Sequence, residues 1–401
     1  MYDYLIIGGG ISGFYCALEL IKHNKNVCLC EKYADLGGRT LSYNKDGYNW
    51  EIGAGRISEK HNLVINLMKK YKQPLTSISS DLLYKDNCIE ENLFENNINN
   101  IFGPLKDLSN DILANNTLKD LCYKIHGKEK TDKYLSRFPY KAEVTVLRAD
   151  LALKSFSNEM GTHEGYYTAK NGFSDLIHAM KDDFISQGGI IFTNYEFINI
   201  NDKECISCEF IVNKKSKIIL HTKKLICAIE SENLKKISYF NNLKVLQLLQ
   251  MEPLLRTYGV FKSGWFSQLP RIVTNNPIRY FLPINYEKNI AMVSYTDSSD
   301  TQIFHKILKK YGEESLGKFI YNNLTKLFGL IPSMTYFKAH YWKYGATYWL
   351  PGNYDPILES KKSLKPFDSE IYLIGESYSL KQAWMEGALE QTEKLFTTYR
   401  L

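Results

Sequence analysis

Residues 2–33 read YDYLIIGGGISGFYCALELIKHNKNVCLCEKY, and this one stretch limits the folds open to the chain more than any other. Leu5 to Ile7 is a short apolar run that predicts a strand. Gly8, Gly10 and Gly13 follow in a G-x-G-x-x-G pattern, and Phe14 to Ile21 has helical apolar spacing. Val27 to Cys30 predicts a second strand, with Glu31 at its end and Lys32 next to it. Each part has a task in holding a dinucleotide. Gly8 permits the tight turn, Gly10 lets the backbone approach a pyrophosphate, and Gly13 allows close helix–strand packing. Ser12 lies in the first helical turn, where free N–H groups face the phosphates. A carboxylate at position 31 accepts hydrogen bonds from ribose hydroxyls and disfavours a 2′-phosphate. The spacing of strand, glycines, helix and acid sets this apart from an isolated glycine pattern.

At 401 residues the chain is too long for one small core, so one large or two interleaved domains are expected. Apolar residues make up 44% and charged residues 23%, as in ordinary globular proteins. The net charge of +6 is scattered, and pairs such as Lys69-Lys70 and Lys309-Lys310 stand apart. Nucleic-acid binding would call for a denser basic stripe. No run reaches the ~18 apolar residues of a membrane helix. The N-terminus enters a strand at once, without the charged and apolar regions of a secretory signal, so a cytoplasmic location is expected. Eight cysteines in a chain of this length then read as free thiols. Cys205 and Cys208 form one CxxC with no second pair, and His163, His178 and His340 lack metal-ligand spacing; no metal is expected.

The next segment, EKYADLGGRT, sets Gly37, Gly38, Arg39 and Thr40 shortly after Glu31. A second glycine pair and an arginine offer more backbone donors and a cation for a pyrophosphate or flavin. From here the sequence resembles the flavin-containing amine oxidase family, where an acid, five residues and G-G-R follow the first βαβ unit. The chain departs from it in having Tyr33 and Asp35 where basic residues are frequent. The far end agrees: EIYLIGESYSLKQAWMEGALEQTEKLF contains a strand-like run, Gly375-Glu376, and a helix starting near Met385. In the resembled family this segment closes the FAD site. The resemblance implies that Glu376 meets the ribitol and that the helix N-terminus at Met385 faces the flavin pyrimidine. A helix N-terminus there would favour a reduced, anionic flavin. Mid-chain, YYTAKNGFSDLIHAM places Gly172 at a turn before a helix, and a strand near Tyr195 to Ile198 follows. The segment KLICAIE then has Glu230 where relatives carry proline.

These matches imply an α/β protein with a discontinuous Rossmann-like FAD-binding domain, formed by residues 1–80, 165–240 and 360–401. Residues 81–164 and 241–359 would form an interleaved α+β substrate-binding domain. Some relatives attach the flavin through a cysteine in the C-terminal third. The last cysteine here is Cys227, so non-covalent FAD is expected.

Substrate identity turns on WEIGAGRISEKH, residues 50–61. Gly53, Ala54 and Gly55 would contact the cofactor, with Arg56 behind them. L-amino-acid oxidases of the family carry a related arginine that holds the substrate carboxylate. Guanidinium is planar, always charged and matched to a carboxylate, whereas it would repel the cationic substrate of a plain amine oxidase. Gly55 stands where methionine is usual. Arg56 could instead cap a helix or bind a flavin phosphate. Trp384 falls where relatives place an aromatic beside the flavin, and core packing is its other reading. Tyr280 and Trp349 are further pocket candidates. Arg256 occupies the place of a lysine near flavin N5; it keeps the charge but cannot act as a base, which leaves oxidase and dehydrogenase both open. Pairing with a surface acid is its alternative.

The resemblance therefore implies oxidation of an amino-acid amine by hydride transfer to FAD, giving an imine, then keto acid, ammonia and hydrogen peroxide. The expected partners are a small amino acid or amine, molecular oxygen and a second copy of the chain in a homodimer, with neither nucleic acid nor membrane. The rival readings are an amine or polyamine oxidase without carboxylate recognition, a non-catalytic FAD-binding protein, and a desaturase or isomerase of the same superfamily.

Overall fold

A computed structural model describes residues 1–78, 82–86, 89–92, 99–159 and 165–401; His163 lies outside them. The chain divides into two units, the first comprising Met1–Ser77, Tyr167–Met251 and Tyr354–Leu401.

In the first unit, strand β1 (Tyr2–Ile7) leads through the glycine turn into helix α1 (Ile11–Ile21) and on to strand β2 (Val27–Cys30). Leu5, Ile6, Cys28, Leu29 and Cys30 have no exposed surface. Strands covered on both faces read as continuous apolar runs, and these pair in parallel, Leu5 with Cys28 and Ile7 with Cys30. Ile190–Phe192 extends the sheet beyond β2, also in parallel. On the other side of β1 lies the long strand Ser216–Cys227, in register from Tyr2↔Thr222 to Ile7↔Cys227. Its first half pairs antiparallel with Ile206–Val212, and its last residues pair in parallel with Ile371–Leu373. Tyr195–Asn201 completes the seven strands.

Two glycines fix how α1 leaves this sheet. Gly8 has φ +109°, which side chains rarely adopt, and its N–H donates to the Cys30 carbonyl. A Cβ on Gly13 would stand 2.0 Å from the Gly8 carbonyl oxygen, so only glycine lets helix and strand meet this closely. Helices Phe173–Ser186 and Met385–Tyr399 pack beside α1. Phe14, Ala17, Leu29, Leu176, Met180, Ile374 and Leu389 form their shared core.

The second unit comprises Ile78–Tyr166 and Glu252–Asn353. Its seven-stranded sheet runs Met334–Trp349, Leu249–Phe261, Ile290–Asp297, Tyr280–Asn285, Arg271–Val273, Leu82–Asp86, Ile89–Asn92. Helix Thr301–Phe328 covers one face with Phe304, Leu316, Ile320 and Leu324, and kinks at Gly312, where φ is +81°. Helices Leu118–His126, Lys128–Arg137 and Ala149–Glu159 belong to the other chain segment. Thr117 and Asp120 form a reciprocal capping box at the first of these. The architecture is α/β with a Rossmann-like unit and an α+β unit, as the sequence implies. No described helix is long and apolar enough to cross a membrane.

Candidate active site

The N-terminus of α1 carries no side-chain cap, and its first turn has no acid. Its orphan N–H groups and the helix dipole favour an anion there. The glycines around it differ in kind. A Cβ on Gly10 would meet only the Gly37 carbonyl oxygen, at 3.9 Å, and one on Gly38 only Gly10 Cα, at 3.7 Å. The space beside these two backbones is open, as the approach of a pyrophosphate requires. Gly37 donates to the Gly9 carbonyl at 2.7 Å, which holds the two glycine turns together. Ser12 donates to the Ala388 carbonyl at 3.1 Å and so also ties α1 to the C-terminal helix.

Glu31 is buried at the end of β2. Its carboxylate accepts the N–H of Gly9 at 2.8 Å and of Tyr33 at 3.0 Å. These bonds fix the acid while leaving lone pairs for ribose hydroxyls. Lys32 lies with its ammonium 4.8 Å from the centre of the Tyr33 ring. Glu230, near Arg39 and Lys32, is pushed above the usual carboxylate range by burial, which these two cations partly offset.

Two residues read separately in the sequence meet here. Arg39 Nη1 donates to Glu376 Oε2 at 2.7 Å. The other oxygen of Glu376 accepts the Ala383 N–H at 2.7 Å. The charge of Arg39 is thus balanced by Glu376, and a pyrophosphate would meet a pair rather than a bare cation. Gly375, with φ +121°, makes the turn that brings Glu376 there. The Ala54 N–H donates to the Arg39 carbonyl at 2.8 Å, and Gly53 packs against the same carbonyl, where a Cβ would clash at 2.0 Å. Gly55 then leads into Arg56.

Arg56 reaches Trp384: its guanidinium carbon lies 5.6 Å from the centre of the indole. Trp384 immediately precedes the helix Met385–Tyr399, whose start has no side-chain cap, and Met385 itself is buried. His61, fully buried, meets the same indole edge-on, with ring centres 4.8 Å apart at 74°. Its Nδ1 accepts the Ser58 N–H at 3.2 Å. Glu386 accepts the N–H groups of Leu63 and Val64, both at 3.0 Å, at the start of helix α2 (Asn62–Lys70). His61 and Glu386 were not singled out in the sequence. The Trp384 ring that His61 meets and the Leu63 and Val64 donors that Glu386 holds lie more than 320 positions away from them, so no local pattern marks these contacts; only the Ser58-x-x-His61 bond is local.

The remaining candidates belong to the second unit. Arg256, on Leu249–Phe261, pairs in register with Tyr295 and lies 5.5 Å from that ring centre, so its reading as the partner of a surface acid gives way to a cation–aromatic contact. Burial pushes the Tyr295 hydroxyl well up, and Arg256 opposes the shift. His340 is pushed down to about 4 by burial, with Lys338 and Arg256 adding repulsion. Tyr280 is buried, with its ring centre 6.0 Å from that of Tyr295. Trp349 is fully buried, and its carbonyl accepts the Arg148 N–H at 3.0 Å. Among the described residues, no group of three or more His, Cys, Asp or Glu side chains could hold a metal ion.

Comparison with known proteins follows this geometry. Residues 6–71 match the profile of an NAD(P)-binding Rossmann-like domain. Residues 127–393, about two thirds of the chain, match that of the flavin containing amine oxidoreductases. Amine oxidase [flavin-containing] A of Equus caballus is 34% identical over 71 residues, which are 18% of this chain and 14% of that protein. The L-amino acid oxidase of Cerastes cerastes is 32% identical over 79 residues, 19% of this chain and 15% of that protein. The matched stretch is therefore a small part of these curated relatives. The solved structure of wild-type putrescine oxidase bound to putrescine superposes with a TM-score of 0.79, covering 100% of this chain and 99% of that one at 14% identity, which speaks for the fold alone. The profile match over most of the chain is decisive, and the protein belongs to the flavin-containing amine oxidoreductase family, with FAD as its cofactor.

Proposed function

We propose that this protein is an FAD-dependent oxidase of the amine group of a small amino-acid-type substrate. The observation that carries this reading is Arg56 lying over the Trp384 indole. Contact with an aromatic face fixes where a guanidinium lies, and a planar, always charged group fixed beside that wall matches a carboxylate.

In this reading the first unit holds FAD and also carries Arg56 and Trp384, the residues that meet the substrate. The α1 N-terminus, Gly10 and Gly38 would take the pyrophosphate, Glu31 the adenosine ribose, and the Arg39–Glu376 pair the linker toward the flavin. When bound, FAD supplies the hydride acceptor and is reoxidised by oxygen, giving hydrogen peroxide. Arg56 orients the substrate through its carboxylate, and Trp384 walls the place where the amine lies. Orientation and a dry pocket do most of the catalytic task, since the amine carbon needs no separate acid or base once the amine is neutral. The flavin is held without a covalent bond, as no cysteine follows Cys227.

Oxidation of a plain amine is the second reading, favoured by the fold shared with a putrescine oxidase. Peroxide release from amino acids and from the amines that lack only the carboxylate separates the two. Arg56→Ala is expected to raise the KM for the amino acid roughly tenfold to a hundredfold, as loss of a charged hydrogen-bonded pair does, with the amine unaffected. An unchanged amino-acid KM would move the assignment to plain amines. If neither class bleaches the flavin under anaerobic conditions, the protein binds FAD without amine chemistry.

A further inference from the structure

Arg56 is set by its surroundings, and the residue behind it is His61. Five positions apart, Arg56 precedes and His61 follows the short strand Ile57–Ser58, and both side chains meet one indole. Trp384 is itself fixed. Ala383 before it has φ +65°, and its N–H is held by Glu376. Two residues after Trp384, Glu386 holds the first N–H groups of α2, directly beyond His61. Residues 56–64 and 384–386 therefore form a clasp with two kinds of contact. The indole touches Arg56 and His61, and the carboxylate holds Leu63 and Val64.

Within this clasp His61 has no contact with solvent. Its Nδ1 accepts the Ser58 N–H, so the ring orientation is tied to the backbone of the strand Ile57–Ser58, which Arg56 directly precedes. His61 thus couples the backbone after Arg56 to the indole under Arg56.

We infer that His61 is a positioning residue for substrate carboxylate recognition, holding the Trp384 indole at the tilt that presents the Arg56 guanidinium. This rests on the carboxylate role proposed for Arg56. His61 touches neither substrate nor cofactor in this scheme. It acts on affinity for carboxylate-bearing substrates and leaves the chemical step alone. Its counterpart His61→Phe keeps a ring edge against the indole but loses the Ser58 bond.

The test uses the holoenzyme. His61→Ala is expected to raise the amino-acid KM about fivefold, from weakened aromatic and cation–π contacts, with kcat within about twofold and a smaller rise for the matched amine, which meets Trp384 but not Arg56. His61→Phe is expected to restore most of that loss. An equal rise for amino acid and amine, or no rise at all, overturns the inference. A second measurement is independent of turnover. The chain has five tryptophans; in 5-fluorotryptophan-labelled holoenzyme, the fluorine resonance lost in Trp384→Phe identifies Trp384. Arg56→Ala should shift that resonance in the native chain and not in the His61→Ala background. The same shift in both backgrounds would show that His61 does not govern the Arg56–Trp384 contact. If Arg56→Ala leaves the amino-acid KM unchanged, the carboxylate reading falls by itself, and the fluorine resonances still decide the role of His61.

Discussion

Glu386 shows how one side chain can organise a site it does not enter. A buried carboxylate is tolerable only when it is well hydrogen-bonded, and this one has two backbone donors at a helix start, where the dipole also favours it. Glu386→Ala leaves Leu63 and Val64 without these acceptors. It is expected to destabilise the fold by about 1–3 kcal/mol, read as a lower midpoint of urea unfolding, and Glu386→Gln by less. A midpoint within error of the parent would remove the cap from the account. At this scale the sequence told a mixed story. Glu31 was legible because its spacing from the glycines is local. The pairing of Arg39 with Glu376 was not, since 337 positions separate them and each had been read toward the cofactor. The burial of Trp349 was not legible either, because aromatic residues suit cores and pockets equally well.

The elements were easier to read than the contacts between them. Strand, turn, helix and strand at residues 2–30 follow from apolar period and glycine placement, as does the helix from Met385. The clasp between residues 56–64 and 384–386 was invisible, because it joins two elements through side chains rather than through a repeat. The glycine turn offers a contrast at this scale. Gly13→Ala would force a Cβ to 2.0 Å from the Gly8 carbonyl, so α1 must shift from β1. Overpacking of this kind is expected to lower stability by about 1–3 kcal/mol or more, visible in thermal unfolding even before FAD is added. Gly10→Ala meets open space, so folding should survive while FAD retention falls. Flavin content after gel filtration, measured beside apoprotein stability, distinguishes them. Equal loss of stability in both would mean that the open side of Gly10 serves packing.

Across the whole first unit, Glu370 is where the late strand is fastened to the sheet. Its carboxylate accepts from Lys365 at 2.5 Å and Tyr372 at 2.7 Å and pairs with Lys224 at 3.1 Å. Chiefly the Lys365 bond holds it down at about 2, from an ordinary 4.5. A carboxyl depressed in the folded state adds stability above its unfolded pKa and loses it as pH falls through the folded one. Stability should therefore decline between about pH 4.5 and 2, and Glu370→Gln should flatten that limb of a denaturation series. An unchanged limb would place the acid sensitivity elsewhere.

The fastening of residues 371–395 onto the strand Ser216–Cys227 and helix α1 has a consequence in time. Ribosomal synthesis delivers the glycine turn before Ile371–Leu373 and Met385, yet Ile371–Leu373 shares a sheet with β1 and Met385 shares a core with α1. The early segment must wait, with apolar strands uncovered, while the second unit's residues are made. Contacts of such long sequence separation are slow to form, and exposed strands invite association meanwhile. Nascent chains halted before residue 371 should therefore need chaperone shelter, and FAD should be captured only after the final helix has left the exit tunnel.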